Sequence, residues 1–192
     1  MKSVLISVQP QWCEKIKNII GQKGILPIYE KSVEIRKTRP KIEPPFKCYI
    51  YCTKSRKPYE SFAVNGKPYE CGGKVIGEFI CDDIRWANGV NLLVKEDAEA
   101  TLKGSCLTTE DMYKYLGVVS GMSRYDKKTE FYRWHISDLV IYDKPKELRE
   151  FRYYNPTVKF EAGYPMPAHE ITRPPQSWCY VYTLTEKEGA DE

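Results

Sequence analysis

The sequence lacks several features that would assign it at once to a class of protein. No apolar run reaches the roughly 20 residues that a membrane helix needs. The first residues contain neither a long apolar segment nor a small-residue cleavage site, so they do not resemble a secretory signal. Glycine-rich phosphate-binding motifs and the H-E-x-x-H zinc motif are also missing. These absences argue against membrane proteins, P-loop and dinucleotide-binding enzymes and zinc proteases, and we expect a cytoplasmic protein.

Seven cysteines are present, but their spacing is not that of a metal site. Zinc sites favour close pairs such as C-x-x-C, whereas three residues separate Cys48 from Cys52 and no second tight pair follows. An odd count in a cytosolic chain also argues against disulfides. Cys48, Ile50 and Cys52 share one face of a predicted strand, where thiols pack as small buried hydrophobes. We therefore expect no metal ligand, no cofactor and no intrachain disulfide.

The composition is that of one globular domain. The chain has 192 residues, of which 42% are hydrophobic and 29% charged, and this length can bury a substantial core. No repeat or low-complexity tract interrupts it. We predict a single domain over residues 1–185 and a disordered acidic tail over residues 186–192.

Positive charge is concentrated in one part of the chain, although the net charge is only +4. Between Lys31 and Lys57 there are nine Lys or Arg residues against two Glu residues. A local excess of this kind suits a phosphate-binding surface. It equally suits a solvated basic edge that protects a sheet from pairing with another chain.

Within this region, the segment from Lys31 to Pro40 alternates like a β-strand and ends in a group of cations. Successive side chains of a strand point to opposite faces. Val33 and Ile35 therefore suit a core, while Glu34 and Arg36 share the other face. A carboxylate between cations could bind an anion, read a base edge or move a proton. It could equally belong to a solvated face with ordinary ion pairs.

Hydrophobic periodicity and turn residues predict an α+β fold. Strands are predicted over 3–8, 29–36, 46–53, 74–84, 131–141 and 177–184, helices over 10–20 and 108–116, and a helical turn over 144–151. Thr108 and Asp111 resemble a capping box, and Gly117 closes the second helix. Gly77, inside a strand, indicates a bulge or a close backbone approach. We predict a mixed, mostly antiparallel small β-barrel with two or three flanking helices.

Several segments together resemble ASCH domain proteins of the PUA-like superfamily, in a branch common among bacterial, phage and prophage-like proteins. The matching segments are Ile6-Ser-Val-Gln-Pro10, Lys31-x-x-Glu34-x-Arg36, Gly73-Lys-Val-Ile-Gly-Glu-Phe79 and Arg173-Pro-Pro-Gln-Ser-Trp178. Their order and spacing carry the resemblance over roughly residues 3–182. The resemblance implies a PUA-like barrel with helices beside it and a cleft between them.

The resemblance also implies that this cleft binds RNA or a nucleoside or nucleotide ligand. The positions that carry over are Lys31, Glu34 and Arg36, and we expect them to border one concave, partly accessible site in which a carboxylate such as Glu34 holds Arg36. Further ligand-binding candidates are Lys37, Arg39, Lys54, Tyr113, His135 and Trp178. Membrane contacts are not expected, and the oligomeric state stays open.

Two of these candidates have alternative interpretations. His135 follows Trp134 in a predicted strand and could donate to a phosphate or base edge, or it could be a structural histidine satisfied by a neighbouring carbonyl. Trp178 enters the final strand and could stack on a base, or it could belong to the core.

Two other functions stay open beside the binding module. An enzymatic branch of the family resembles an amidohydrolase acting on acylated cytidine, with the pattern K-x-x-T-x-R. Here Glu34 stands in place of the threonine nucleophile, so an enzyme would have to use Lys31 and Glu34 to activate water. The third possibility is a phage- or prophage-related interaction domain without catalysis. We expect a binding module rather than an enzyme.

Overall fold

The structure is a computed structural model that describes residues 3–18, 32–54, 63–64, 67–68, 71–117, 129–154 and 169–183. The strands are β1 (Ser3–Val8), β2 (Val33–Arg36), β3 (Phe46–Cys52), β4 (Ala63–Val64), β5 (Lys67–Pro68), β6 (Lys74–Cys81), β7 (Ile84–Ala87), β8 (Phe131–His135), β9 (Ser137–Glu147), β10 (Phe151–Tyr153), β11 (His169–Glu170) and β12 (Trp178–Thr183). The helices are α1 (Pro10–Asn18), α2 (Lys95–Leu102) and α3 (Thr109–Leu116). The predicted α+β class is confirmed.

Contacts between residues divide the chain into two compact units. Unit 1 comprises Met1–Lys17, Phe46–Ile80 and Asp138–Glu192, and unit 2 comprises Asn18–Pro45 and Cys81–Ser137. Each unit has its own hydrophobic cluster. The single domain over residues 1–185 stays a prediction, and the tail at 186–192 lies outside the described residues.

Unit 1 is built on a seven-stranded mixed sheet in the order β11-β10-β12-β1-β3-β6-β9. β1 runs parallel to β3 and antiparallel to β12. Every residue of β1 is buried, as expected for a strand near the middle of a sheet. One buried cluster of this unit consists of Leu5, Tyr49, Tyr51, Val75, Phe151, Ile171 and Val181.

Both faces of β3 are covered. Tyr49 and Tyr51 belong to the cluster that contains Leu5 and Val181, while Cys48 and Cys52 on the opposite face are fully buried. The predicted burial of these two cysteines is therefore confirmed. Cys52 Sγ lies 3.4 Å from Cys71 Sγ, a thiol–thiol contact that is much longer than a disulfide bond.

Helix α1 begins at Pro10, because proline lacks the N–H that the first turn leaves unsatisfied anyway. Ile16 is buried, as its helical spacing predicts. Trp12 is half-buried, and the Lys15 ammonium lies 4.4 Å from the centre of its ring. Ile19, the third predicted packing residue of this helix, lies outside the described residues.

Two features of β6 and β9 follow from close packing in the sheet. A Cβ at Gly77 of β6 would lie 2.4 Å from the Val140 carbonyl oxygen, so the predicted close backbone approach is confirmed. The predicted helical turn over 144–151 is wrong over its first part, because β9 continues to Glu147 and only Leu148–Glu150 forms a 3₁₀ turn. β9 ends the strand order, and an edge strand tolerates a proline such as Pro145.

Unit 2 contains a three-stranded antiparallel sheet in the order β2-β8-β7. The predicted strand over 74–84 is in fact two strands, because β6 ends at Cys81 and β7 begins at Ile84. Val33 and Ile35 lie on the face that packs against the helices, which we call the core face. The buried cluster there consists of Val33, Ile35, Ala87, Leu92, Ala98, Leu102, Met112, Leu116 and Phe131.

Helix α3 has both of its predicted end signals. The Thr108 hydroxyl accepts a hydrogen bond from the Asp111 backbone N–H, and the Asp111 carboxylate accepts one from the Thr108 N–H. Gly117 follows the last turn in the left-handed conformation, with φ of 73°. These caps satisfy backbone groups that the helix itself leaves unpaired.

None of the helices in the described ranges has the length and apolar character needed to span a bilayer.

Candidate functional site

The side of the three-stranded sheet opposite the core face carries the predicted pair Glu34 and Arg36. An Arg36 Nη2 atom lies 2.8 Å from Glu34 Oε1, which confirms that a carboxylate holds Arg36. The expected solvent access is wrong, since the two residues are only 7% and 6% exposed. Opposite charges at this distance offset part of the cost of removing each group from water, so the pair can be buried together. We call this side of the sheet the Arg36 face.

Strand register extends the Arg36 face across the whole sheet. Arg36 lies opposite Tyr132, and Tyr132 lies opposite Trp86, so the three side chains form one row on one face. The row runs from buried Arg36 through half-buried Tyr132 to Trp86, which is 55% exposed. A second row on this face contains Glu34, Trp134 and Ile84.

Tyr115 of α3 reaches the end of β2. Its hydroxyl oxygen accepts a hydrogen bond from the Lys37 backbone N–H at 3.2 Å, and the Lys37 ammonium lies 5.2 Å from the centre of its ring. Partial burial raises the pKa of the Tyr115 phenol, and the nearby Arg36 charge opposes that rise. The phenol therefore stays neutral and fixes the course of the chain after Arg36.

Two other candidates in unit 2 have partners of their own. Arg39 Nη2 lies 2.7 Å from Glu43 Oε1 in a solvent-facing ion pair. The Tyr113 hydroxyl donates to the Leu92 carbonyl at 3.0 Å, and its ring packs against the cluster of unit 2. Tyr113 therefore packs with the core of unit 2.

His135 lies on the core face, because alternation along β8 places it on the same side as Phe131. Its Nδ1 atom is 2.5 Å from Asp82 Oδ1. Desolvation alone would raise the pKa of Asp82, but hydrogen bonding to His135 and its charge lower that pKa overall. A carboxylate thus satisfies His135, where the structural interpretation expected a carbonyl.

The remaining candidates lie in unit 1 or outside the described residues. Lys54 and Trp178 belong to unit 1; Lys54 is exposed, and Trp178 packs edge-on against Tyr180 with the ring centres 5.3 Å apart. Lys31 lies outside the described residues. Among the described residues, no three His, Cys, Asp or Glu side chains come together as a possible metal site.

Unit 1 contains a separate network of charged groups. Glu78 accepts a hydrogen bond from the Tyr142 hydroxyl at 2.5 Å, and its other oxygen lies 3.2 Å from Lys47 Nζ. Desolvation alone would raise the pKa of Glu78, but these partners lower that pKa below its usual value. The carboxylate is therefore held in its charged form.

Sequence reasoning missed Trp86, Tyr132 and Tyr115. Alternation in the predicted strand over 131–141 places Tyr132 and Phe131 on opposite faces. It does not show which strands pair with this one. The helical pattern assigns Tyr115 to the apolar face of α3. Trp86 falls in a segment where the sequence predicts no further strand.

Comparison with solved structures identifies the fold. The chain matches a crystal structure of a mutant ZmASCH protein from Zymomonas mobilis with a TM-score of 0.54 and 16% identity, over 98% of this chain and 96% of that one. A crystal structure of ASCH from the same organism has a TM-score of 0.50 and 15% identity, over 97% and 92% of the two chains. The chain has an ASCH-type fold. No protein-family model matches the chain, and no curated protein matches its sequence.

At this identity the likeness extends to the fold alone. It agrees with the α+β class that the sequence predicts, and it assigns no role to the Arg36 face.

Proposed function

We propose that this protein is a binding module for RNA or a modified nucleoside and that the Arg36 face is its ligand site. The observation that carries the proposal is the row of Arg36, Tyr132 and Trp86 across three paired strands. Exposed aromatic rings are stacking platforms for bases, and guanidinium groups supply both charge and hydrogen-bond donors.

Trp86 is the open end of this row. An indole that is 55% exposed keeps a large apolar surface in water, and a stacked base would cover it. Two spacings between neighbouring strands place the β2 and β7 backbones roughly 10 Å apart. That span accommodates a base on Trp86 with its polar edge directed towards half-buried Tyr132.

Charge at the end of β2 supports an anionic ligand. Lys37 is exposed and follows Arg36 directly, and Tyr115 fixes its backbone. The Glu34 carboxylate orients Arg36 and offsets its charge, so Lys37 supplies the accessible positive charge. Binding of RNA is therefore expected to weaken as salt rises, because counterions are released when phosphates are neutralised.

The decisive experiment titrates the protein with a short single-stranded RNA and with nucleosides, including acylated cytidine. Trp86→Ala is expected to weaken binding roughly five- to hundredfold, the range for loss of one base–aromatic stack. Trp86→Phe should retain most of the affinity. Val94→Ala is the matched control, since Val94 is another exposed apolar residue of unit 2, 53% exposed. Equal affinity of Trp86→Ala and wild type for every ligand would refute the assignment of this face.

The same titration separates the two other functions. Release of the acyl group from acylated cytidine would favour the amidohydrolase, in which the Glu34 carboxylate would take a proton from water. Because Glu34→Gln also breaks the buried pair with Arg36, its loss of turnover counts only under conditions where the variant is folded. Absence of both binding and product would leave the interaction domain. Arg36 is so deeply buried that truncating it would also change stability. The test of binding therefore uses Trp86, which is exposed.

A further inference from the structure

Two arginines face each other directly on the core face of the same sheet. Arg85 of β7 lies opposite Arg133 of β8 in the antiparallel ladder, and directly opposed residues have Cα atoms roughly 4.5–5.5 Å apart. Like charges in this arrangement repel each other and destabilise the pair of strands. Such a pair persists most easily where an anion offsets the repulsion.

The nearby carboxylates do not neutralise both guanidinium groups. Asp83 Oδ2 lies 2.7 Å from Arg85 Nε, and Asp82 is engaged with His135. Within the described parts of the chain, no carboxylate forms an ion pair with Arg133. Arg133 therefore has no carboxylate at ion-pair distance there, and only the more distant Asp83 charge acts on it favourably.

Arg133 is also only partly hydrated. The residue is half-buried, and its Nε atom is buried with no hydrogen-bond partner among the described residues. Desolvation and the neighbouring Arg85 lower the pKa of Arg133, although a guanidinium stays charged at neutral pH. A buried donor without an acceptor is costly, and the more accessible part of this half-buried guanidinium is where an oxyanion could bind.

We propose that Arg85 and Arg133 form a binding site for one phosphate group, such as a phosphodiester of RNA or the phosphate of a nucleotide. Guanidinium groups match phosphate oxygens through paired hydrogen bonds, and a phosphodiester would give Arg133 the close anionic partner that no described carboxylate provides. The inference rests on the proposed function and narrows it, because the ligand then carries phosphate and is not a bare nucleoside.

The position of β7 connects this site to the stacking residue. Arg85 directly precedes Trp86, and β7 lies at one end of the three-stranded order. Their side chains point to opposite faces. A ligand that crosses this strand could therefore place a base on Trp86 and its phosphate at Arg85 and Arg133.

The test compares Arg133→Met, which keeps an apolar stem, with the matched control Arg149→Met in the exposed Leu148–Glu150 turn of unit 1. Arg133→Met is expected to weaken binding of a short RNA about tenfold or more, as for loss of a charge-assisted hydrogen bond. The slope of log K against log salt should become shallower by about 0.7 per lost phosphate contact. Binding of the unphosphorylated nucleoside should not change, and Arg149→Met should match wild type.

Inorganic pyrophosphate distinguishes the source of the phosphate. If the site binds phosphate independently of a base, pyrophosphate should raise the melting temperature of wild type but not that of Arg133→Met. If only the binding of RNA is weakened in Arg133→Met, the site binds the nucleic-acid backbone. Arg85→Met, which alters an exposed side chain, gives the same readout should Arg133→Met fold poorly. Arg133→Lys, which keeps the charge, should retain the salt slope of wild type.

The two proposals fail in different ways. Loss of binding in Trp86→Ala together with wild-type affinity and salt slope in Arg133→Met and Arg85→Met would overturn the phosphate site and leave the proposed function. Stabilisation by pyrophosphate that depends on Arg133, without any binding of RNA or nucleoside, would support the phosphate site and overturn the proposed function.

Discussion

Removing the carboxylate of Glu34 should destabilise the protein far more than a surface substitution does. Glu34→Gln keeps the size of the side chain but removes the charge that lies 2.8 Å from Arg36, where the two side chains are only 9% and 8% exposed. Breaking a buried ion pair by neutralising one partner costs about 3–5 kcal/mol. In a chain of this length such a loss lowers the melting temperature by roughly 6–20 °C.

Urea unfolding followed by tryptophan fluorescence measures this loss. The matched control is Glu43→Gln, which breaks the Arg39–Glu43 pair at a similar distance of 2.7 Å but with side chains 37% and 78% exposed. It should cost about 1 kcal/mol or less. The double variant Glu34→Leu, Arg36→Met should recover most of the stability, because it leaves no buried charge. A Glu34→Gln cost no larger than that of Glu43→Gln would refute the reasoning from burial.

Three further substitutions test the fold and its electrostatics by the same unfolding measurement. Gly77→Ala should cost about 1–3 kcal/mol, because its Cβ would meet a carbonyl oxygen at 2.4 Å, whereas Gly72→Ala meets no atom within 4 Å and should be nearly neutral. Thr108→Ala should cost about 1 kcal/mol by removing a helix cap; an unchanged midpoint would contradict the capping role. Glu78→Gln should be less stable than wild type at neutral pH. Because folding lowers the pKa of Glu78 below 4.5, this difference should shrink as pH falls from that value through the folded pKa, and a constant difference would count against the network.

The features that the sequence predicted correctly are those set by residues close together in the chain. The capping box at Thr108 and the glycine at position 117 define the ends of α3, and alternation places Val33 and Ile35 in the core. The Glu34–Arg36 pair was also predictable, since residues two apart on a strand share a face.

The features that the sequence did not predict depend on pairing between strands that are distant in the chain. Alternation states which side chains share a face, but it does not state what covers that face, so Glu34 and Arg36 were expected to be accessible and are buried. The row of Arg36, Tyr132 and Trp86 requires β8 to pair with both β2 and β7. These strands are far apart in sequence, and no local pattern specifies their register.

The segments of the two units alternate along the chain. This arrangement limits how the protein can fold during synthesis and how it can be truncated. Ser3 pairs with Val181, so β1 gains one of its two neighbours only after the strand that contains Val181 has been synthesised. Until then one edge of β1, whose residues are all buried in the folded protein, has no strand paired with it. An unpaired apolar edge of this kind favours slow folding and recruitment of chaperones. A fragment spanning Asn18–Ser137 would contain all of unit 2, but it would also carry β3 without its neighbour β1. Dissection of this protein therefore calls for circular permutation or loop replacement, because a single truncation leaves at least one sheet incomplete.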